Sequence, residues 1–196
     1  MLLGLRHGAC LFALPLLALL TTCVKQLPVL HADPALERNT VVKPSLIPGA
    51  GLGAFARIRI EKGQVIGEYA GVLYPKDKPP KDATYLVQLP KCAHFGGLRW
   101  GWVDGKGSSA HMTRVNFAPR TINGVETNLQ NAIIAGVCRR PYIVYIATRD
   151  IEAGEEILAG YGESYEYEPF MNRKEVQKYF CDLANIDCDD GFWFEP

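Results

Sequence analysis

The sequence predicts a mainly β fold of short strands and small sheets, with few helices. Six short segments have the apolar alternation or the β-branched content of strands, and glycine, proline and asparagine cluster between them. One stretch combines a helix start signal with an apolar face. The predicted strands are residues 54–60, 64–74, 84–89, 100–104, 131–138 and 142–148, with a hairpin turn at 139–141 between the last two.

Two segments about ninety positions apart, residues 60–71 and 151–162, share one local pattern. In each, an isoleucine precedes a polar turn that ends in glycine, at Gly63 and Gly154, and an apolar stretch then leads to a tyrosine beside glycine. Glycine at the turn permits a positive φ, so each segment predicts a turn followed by a short strand. Tyr161, with glycine on both sides, is the first functional candidate. The alternative is two ordinary turns with tyrosine as a common strand residue.

Further motifs lie around these two segments, in a fixed order along the chain. They are the glycine-rich run Gly51-Leu-Gly-Ala-Phe55, the segment Gly63 to Gly71, the pair Val103-Asp104, the run Arg114-Val-Asn116-Phe-Ala118, and Asp150 with Gly154-Glu-Glu-Ile157 and Tyr161-Gly162. Taken together, this order resembles the SET-domain family of protein lysine methyltransferases. The resemblance covers about residues 45–167. Each motif is weak alone, whereas the ordered set is specific.

The resemblance implies a fold, a reaction and a set of site residues. The fold is the β-clip arrangement of the SET domain, and the reaction is methyl transfer from S-adenosylmethionine to a lysine side chain. Tyr161 is expected to orient the lysine amine. The expected cofactor site comprises Gly51, Leu52, Gly53, Asn116 and Phe117, with Phe117 acting through its backbone. No metal ion is expected.

The physical chemistry of methyl transfer is consistent with these residue types. A protein assists such an in-line displacement by alignment, by excluding water and by keeping the amine neutral, and none of these needs a metal or a strong acid. A tyrosine hydroxyl at the end of an apolar channel can orient the amine. Aromatic faces suit a lysine stem and its cationic head, so Tyr85, Tyr165 and Tyr167 are candidate channel walls. Packing in the core or at the rim is the alternative for each of the three.

The glycine-rich run could also cradle a phosphate through bare backbone N–H groups. A phosphate loop requires a helix to open at the run, whereas residues 55–60 alternate in the manner of a strand. We therefore expect a bend that lets the methionine part of the cofactor lie against the backbone. Asn116 is expected to hold the polar end of the cofactor, Glu68 to be a structural or cofactor neighbour, and Arg114 to be a structural salt-bridge partner.

The chain departs from the family pattern at several positions. Phe117 stands where the family has histidine and Ala118 where it has serine, and residues 119–126 are expected to be an inserted surface loop. Cys181 and Cys188 lack the close spacing of a zinc site. These departures favour a competing hypothesis, in which the domain is a catalytically silent module that binds a protein partner.

The C-terminal extension, residues 168–196, is expected to carry one helix. Asn172 and Glu175 predict a capping box for a helix at about residues 173–181, which would pack across the domain or cover the cofactor. The aromatic run 192–194 is expected either to dock back onto the domain or to form an exposed anchor for a partner.

The charge of the chain is balanced overall but is distributed unevenly. The formal net charge is zero, which argues against direct binding to nucleic acid. Residues 150–196 nevertheless hold thirteen acidic and three basic residues. An acidic rim beside Tyr161 would attract a basic, lysine-containing protein segment such as a histone tail. The alternative is a solvated acidic tail.

The family resemblance implies that the protein is located in the nucleus, whereas its N-terminal region suggests the secretory route or a membrane. Residues 1–23 have a charged start and an apolar run that is short for a membrane span of roughly 20 residues, so a signal peptide, an anchor or an early start codon are all open. A retained anchor would attach the protein to a membrane. A secreted or membrane-bound enzyme would methylate a non-histone protein. Residues 24–44 are expected to be a linker, and the six cysteines are not expected to form a disulfide framework.

Overall fold

The structure of the protein is a computed structural model. It describes residues 27–91, 94–95, 98–139, 142–162, 165–188 and 191–196. The predicted signal or anchor segment, residues 1–23, lies outside the described residues, as do residues 24–26 of the predicted linker and most of the predicted turn at 139–141. Within the described ranges, none of the helices combines the length and apolarity needed to cross a bilayer.

The described chain forms short strands, three α-helices and one 3₁₀ turn at His111–Arg114. The strands are Val29–Leu30 (β1), Thr40–Pro44 (β2), Leu52–Ala56 (β3), Val65–Glu68 (β4), Gly71–Pro75 (β5), Leu86–Gln88 (β6), His94–Phe95 (β7), Leu98–Asp104 (β8), Asn116–Phe117 (β9), Thr121–Ile122 (β10), Val125–Glu126 (β11), Ala132–Gly136 (β12), Ile143–Ala147 (β13), Leu158–Ala159 (β14) and Phe194–Glu195 (β15). The helices are Pro34–Glu37 (α1), Glu168–Met171 (α2) and Lys174–Ala184 (α3).

The strands form four small sheets. One has the order β1-β5-β8-β6 with β7 on β8, a second β4-β13-β12-β14-β9, a third β11-β10-β15, and the fourth is the pair β2-β3. The pairs that β14 makes with β12 and β9 are parallel, and the other pairings are antiparallel. The prediction of a mainly β fold built from short strands and small sheets is confirmed.

The predicted strand at residues 64–74 is two strands in different sheets. β4 pairs with β13, whereas β5 pairs with β1 and β8. The chain changes sheets at Tyr69 and Ala70, both buried, and the Tyr69 N–H still bonds the carbonyl of Ile143. Glu68 is the only charged residue between Val65 and Pro75, and a single charged residue does not reveal in the sequence that the chain passes from one sheet to another.

Residues 27–44, which we expected to be part of a linker, are built into the fold. Val29 pairs with Val72 across β1 and β5, and Thr40 pairs with Ala56 across β2 and β3. Asp33 caps α1 through its carboxylate, which accepts the Ala35 N–H at 2.8 Å. The lack of periodicity that suggested a linker arises because each of these elements is only two to five residues long.

The helix predicted at 173–181 exists as α3, but its predicted capping box does not. Asn172 is the C-terminal cap of α2, and the cap residue of α3 is Arg173, which makes no side-chain cap. The Glu175 carboxylate accepts hydrogen bonds from the Arg173 guanidinium at 2.7 and 2.9 Å. The acidic group is therefore held by a neighbouring cation and does not return to the helix start.

The predicted surface loop at residues 119–126 is a hairpin. β10 and β11 pair around Asn123 and Gly124, whose φ angles of 50° and 79° are those of a tight hairpin turn. Ile122 is fully buried, and β10 also pairs with β15. The aromatic run 192–194 thus docks back onto the domain, with Trp193 still 55% exposed.

Two hydrophobic clusters hold the elements together. The larger lies between the sheets, and its fully buried members include Leu73 and Ile151. The smaller packs α3 against the hairpin and β9, with Val176 and Phe180 fully buried. Because β9 and β14 belong to this region, the smaller cluster supports one wall of the site described below.

Because α3 is buried on one face only, we expect two substitutions in this helix to change the free energy of unfolding by very different amounts. Phe180→Ala should lower the free energy of unfolding by about 3–5 kcal/mol, because it opens a cavity in the smaller cluster. Leu183→Ala, at a side chain that is 49% exposed, should change it by less than about 0.5 kcal/mol. Urea denaturation followed by circular dichroism measures both. Equal effects would show that α3 does not pack as described.

Candidate active site

A large cavity, about 1240 Å³ in volume, is lined by residues of the glycine-rich run and of the two five-stranded sheets, the one that contains β6 and β8 and the one that contains β12 and β13. It is lined by residues from many separate parts of the chain, from Gly49 to Pro196. Of the nine site residues predicted from the sequence, eight line this cavity: Gly51, Leu52, Tyr85, Asn116, Phe117, Tyr161, Tyr165 and Tyr167. Gly53 is not among the lining residues and lies behind the cavity wall.

The two similar segments noted in the sequence pair with each other. Ile60 and Ile151 exchange both backbone hydrogen bonds at 2.9 Å. The turn glycines Gly63 and Gly154 have φ angles of 84° and 91°. The Gly63 N–H donates to the Ala147 carbonyl at 2.8 Å, and the Gly154 N–H donates to the Ala56 carbonyl at 2.7 Å. The turns predicted from the glycine spacing are therefore present, and their mutual pairing fixes the direction in which the chain approaches Tyr161.

The parallel pair of β9 and β14 places two predicted site residues close together. Asn116 lies opposite Leu158, and Phe117 lies opposite Ala159. Tyr161 follows β14 by two residues, so its ring reaches the same part of the cavity as Phe117, with ring centroids 6.0 Å apart. Residues 40 or more positions apart thereby share one wall.

A buried carboxylate, that of Glu156, organises the glycine-rich side of the cavity. Its Oε1 accepts hydrogen bonds from the Ser45 hydroxyl at 2.7 Å and from the Asn116 amide at 2.9 Å, and its Oε2 accepts the Leu46 N–H at 2.9 Å. A side chain at Gly53 would collide with this carboxylate. Gly53 is therefore glycine because Glu156 occupies the space beside it, a role that the sequence did not reveal.

The segment just before the glycine-rich run is held by Arg173, the residue that precedes α3. The Arg173 guanidinium donates to the Pro48 carbonyl at 3.0 Å and fills the space that a side chain at Gly49 would need. Gly51 has a φ of 79°, and an added Cβ there would meet no atom within 4 Å. Gly51 thus presents bare backbone to the cavity, whereas Gly49 is packed.

Asn116 has one free polar atom on the cavity side. Its amide N–H₂ donates to the Glu156 carboxylate and to the Leu52 carbonyl at 3.1 Å. The side-chain oxygen has no hydrogen-bond partner among the described residues. An amide with its donors satisfied and its acceptor available can hold a cationic or N–H-bearing group.

Tyr161 donates its hydroxyl hydrogen to the Val115 carbonyl at 2.6 Å. Burial, together with the nearby tyrosine hydroxyls, Tyr145 first among them, raises the pKa of this phenol well above its usual value. The hydroxyl therefore stays protonated at neutral pH, and its oxygen lone pairs remain available to accept a hydrogen bond.

Two further tyrosines, which sequence reasoning did not single out as site residues, line the same cavity. Tyr145, in β13, is 2% exposed, and burial raises the pKa of its hydroxyl. Tyr69 donates to the Tyr85 carbonyl at 2.7 Å, and burial likewise raises its pKa. Tyr69 appeared in the first similar segment, but its local sequence gave no sign that it lines the same cavity as Tyr161. Tyr145 looked like an ordinary strand residue.

Aromatic rings line the cavity around Tyr161. Phe117 lies 4.3 Å from Tyr167 between ring centroids, and Tyr165 lies 4.8 Å from Tyr161. The Tyr167 hydroxyl donates to the Gly162 carbonyl at 2.7 Å and accepts the Tyr161 N–H at 3.2 Å. The rings that we expected to form channel walls are thus interlocked with Tyr161 itself.

Arg114 and Glu68, for which we expected a structural role or a place beside the cofactor, make contacts with other parts of the protein. Arg114 donates to the carbonyls of Thr113 and Ser108 and lies over the Tyr85 ring, so its partners are not the carboxylates expected of a salt bridge. Glu68 accepts the Asp33 N–H at 3.0 Å and does not line the cavity. Among the described residues, no group of three or more His, Cys, Asp or Glu side chains could hold a metal ion.

Disulfides are present, contrary to the expectation from the cysteine count. Cys181 and Cys188 are bonded to each other, and Cys138 is also disulfide-bonded. The prediction was wrong because pairing depends on the approach of the chain in space, and the spacing of cysteines along the sequence does not reveal it.

Comparison with known proteins agrees with this arrangement. Residues 51–162 match the family model described as SET domain. The chain is 30% identical over 135 residues to the N-lysine methyltransferase KMT5A-A of Danio rerio, covering 64% of this chain and 37% of the relative. It is 30% identical over 131 residues to PRDM6 of Homo sapiens, which is named provisionally as a histone-lysine N-methyltransferase, covering 66% of this chain and 21% of the relative. The chain therefore spans about a third and a fifth of these two relatives.

A solved structure supports the fold. The crystal structure of ATXR5 in complex with a mono-methylated histone H3.1 matches with a TM-score of 0.50 and 18% identity, covering 67% of this chain and 62% of that chain. At this identity the match concerns the arrangement of the strands and helices.

The three hydrogen bonds to Glu156 predict that its charge state matters for stability. Glu156→Gln should lower the free energy of unfolding by about 1–3 kcal/mol, because an amide N–H₂ must then face a buried N–H or O–H donor. Glu152→Gln, in the same segment but with an exposed side chain, is the matched control and should change it by less than about 0.5 kcal/mol. Urea unfolding distinguishes the two. If Glu156→Gln is as stable as the control, the carboxylate does not join these segments.

The buried tyrosines predict a loss of stability at alkaline pH. An unfolded tyrosine ionises near pH 10. The folded pKa values of Tyr69, Tyr145 and Tyr161 are raised, so above about pH 10 the unfolded chain binds fewer protons and is favoured. Stability is fully present below pH 10 and is lost above it, by up to about 1.4 kcal/mol per pH unit for each group. Unfolding measured from pH 8 to 11 should show a smaller decline in Tyr161→Phe. An identical decline in the variant would contradict the burial of this hydroxyl.

Proposed function

Since the chain belongs to the SET-domain family, we propose that it is an S-adenosylmethionine-dependent protein-lysine N-methyltransferase. One observation carries the proposal. A single cavity joins bare glycine backbone and the Asn116 amide at one end to the Tyr161 hydroxyl and a ring of tyrosines at the other. A methyl donor and a lysine side chain need these two kinds of surface within reach of each other.

The residues at the glycine-rich end fit the cofactor. When bound, S-adenosylmethionine supplies a methyl group activated by a positively charged sulfur. Gly51 offers backbone that no side chain obstructs, Leu52 follows it along the cavity wall, and Asn116 offers a free amide oxygen for the cationic amino end. Phe117 would contribute backbone groups, as its ring packs against Tyr167. Gly53 would act indirectly, by leaving room for Glu156.

The tyrosines at the other end would prepare the lysine amine. Tyr161 would accept a hydrogen bond from an amine N–H, since its own hydrogen is committed to the Val115 carbonyl. This contact orients the nitrogen lone pair along one direction. Tyr85, Tyr165 and Tyr167 would surround the methylene stem and exclude water, which favours the neutral, nucleophilic amine over the ammonium.

A basic protein segment, such as a histone tail, is the substrate that we propose first. Residues 150–196 carry thirteen acidic and three basic residues. Glu166 and Glu168 are exposed beside the tyrosines that line the cavity, and would attract lysine- and arginine-rich segments. The name of the related PRDM6 also points to histones. On this proposal the enzyme works in the nucleus.

A methyltransferase for a non-histone protein is the second candidate, and the disulfides favour it. Disulfides form and persist in oxidising compartments and are rare in the cytosol and nucleus. The bonded state of Cys138, Cys181 and Cys188, together with the apolar run in residues 1–23, supports a route through the secretory pathway. A silent binding module remains the alternative from another class, and the same experiment tests it.

Methyl transfer by the full chain is the test of the proposal. With labelled S-adenosylmethionine, core histones and whole-cell lysate as acceptors, we expect label on lysine. Tyr161→Phe should lower the rate about ten- to a hundredfold, because the amine loses the group that orients it. Tyr74→Phe, at a tyrosine outside the cavity lining, should stay within about twofold of the wild type.

The acceptor that takes the label separates the candidates. Label on core histones supports the first, and label on lysate proteins alone supports the second. No label on any protein, combined with no binding of S-adenosylhomocysteine in calorimetry, would leave the silent module.

A further inference from the structure

The last six residues of the chain, 191–196, form a segment that we call the C-terminal strand. It is attached to the hairpin of β10 and β11 mainly by backbone contacts. The N–H groups of Arg120 and Asn123 donate to the carbonyls of Glu195 and Trp193, both at 2.9 Å. The Asn123 side chain accepts the Trp193 N–H and donates to the Gly191 carbonyl, both at 3.0 Å. One exposed ion pair, Arg120 with Glu195, completes the attachment.

The C-terminal strand also contributes to the cavity. The Phe194 ring lies 6.0 Å from Phe117 and 5.9 Å from Tyr167 between centroids, so it supports two aromatic residues of the cavity wall, of which Phe117 is proposed for the cofactor site. Pro196 is one of the residues that line the cavity. Displacement of this strand would therefore open the cavity on the side proposed for the cofactor.

The contacts of the C-terminal strand are weak for an isolated element. β15 is two residues long, Trp193 is 55% exposed, and the ion pair is solvated. Short strands and exposed ion pairs contribute little stability on their own. The hydrogen bonds to the hairpin and the packing of Phe194 therefore hold a short segment, and a covalent restraint near its start would strengthen its docking.

The disulfide between Cys181 and Cys188 supplies that restraint. Cys181 lies near the end of α3 and is 4% exposed within the smaller hydrophobic cluster. Gly191 is three residues beyond Cys188, a stretch that spans at most about 11 Å. The bond therefore tethers the start of the C-terminal strand within a short distance of a buried, fixed point.

We propose that the Cys181–Cys188 disulfide is a redox-sensitive latch that holds the C-terminal strand against the cavity. In the oxidised protein the strand stays docked and the glycine-rich end of the cavity is complete. In the reduced protein the strand detaches more often, and the cavity loses Pro196 from its wall and the support of Phe194 behind Phe117 and Tyr167. The consequence for cofactor affinity rests on the proposed function, whereas detachment of the strand does not.

The chemistry of opening is thiol–disulfide exchange. A dithiol reductant attacks Sγ of Cys188, the less buried of the two, and forms a mixed disulfide while Cys181 leaves as a thiolate and takes up a proton. The second thiol of the reductant then displaces Cys188, which also becomes a thiol. The S–S bond of the protein is exchanged for the S–S bond of the cyclic oxidised reductant, and two S–H bonds are formed in the protein.

The test measures strand docking and cofactor affinity separately, on the full chain. Hydrogen exchange of the Arg120 and Asn123 amides reports docking, and calorimetry with S-adenosylhomocysteine reports affinity. The key variant is Cys188→Ala, which removes the bond while Cys181 remains as a buried thiol and Cys138 stays bonded. Leu183→Ala, an exposed substitution on α3, is the control.

We expect Cys188→Ala, without reductant, to exchange these two amides on the order of tenfold faster than the wild type and to bind S-adenosylhomocysteine on the order of tenfold more weakly. Reductant should give the wild type the same behaviour and should add nothing to the variant. Phe194→Ala should weaken binding with the disulfide intact, and its effect should not add to that of Cys188→Ala.

Unchanged exchange in Cys188→Ala would overturn the latch, whether or not the protein binds the cofactor. Faster exchange with unchanged affinity, in a protein that binds S-adenosylhomocysteine, would overturn the link between the strand and the cavity. A reductant effect that persists in Cys188→Ala would assign the redox response to the Cys138 disulfide instead. A wild type that binds no S-adenosylhomocysteine would refute the proposed function, and the exchange rates would still decide whether the latch exists.

Discussion

A buried carboxylate joins three parts of the chain that lie far apart in sequence. Glu156 accepts hydrogen bonds from Ser45 and Leu46, which precede the glycine-rich run, and from Asn116 in β9. A charge in this position is costly unless donors surround it, so each of these groups depends on the others. The carboxylate also explains why position 53 is glycine. Because Glu156 lies five residues before Tyr161, this interaction links the glycine-rich side of the cavity to the segment that carries Tyr161.

The two ends of the cavity are built on different physical principles. The glycine-rich end consists of exposed backbone that a buried acid and the Arg173 guanidinium hold in place. The tyrosine end consists of interlocked rings and hydroxyls that are kept neutral by burial. Phe117 stands at the junction. Its phenyl ring packs with Tyr167 and Phe194, so the replacement of the family's histidine is accommodated by an aromatic cluster in which no polar partner is needed.

Sequence reasoning predicted the parts of the site that depend on local pattern. The glycine turns at 63 and 154 follow from residue types and their spacing. The candidate site residues from Gly51 to Tyr167 follow from the resemblance to the SET-domain family, and eight of the nine share the cavity. The remaining features depend on contacts between distant segments. The pairing of residues 29–44 has no local signature, because strands of two to five residues show no periodicity. The burial of Tyr145 and the disulfides depend on which segments approach each other in space.

The parallel pair of β9 and β14 has a consequence for how the chain folds. Parallel neighbours cannot be joined by a tight turn, and here some forty residues separate Asn116 from Leu158. The contact between Ser45 and Glu156 spans 111 positions. Such pairings must overcome the entropy of closing long loops before they contribute any stability, which makes folding slow compared with that of helical proteins. Because the cavity is lined by these distant segments, we expect it to form together with the global fold.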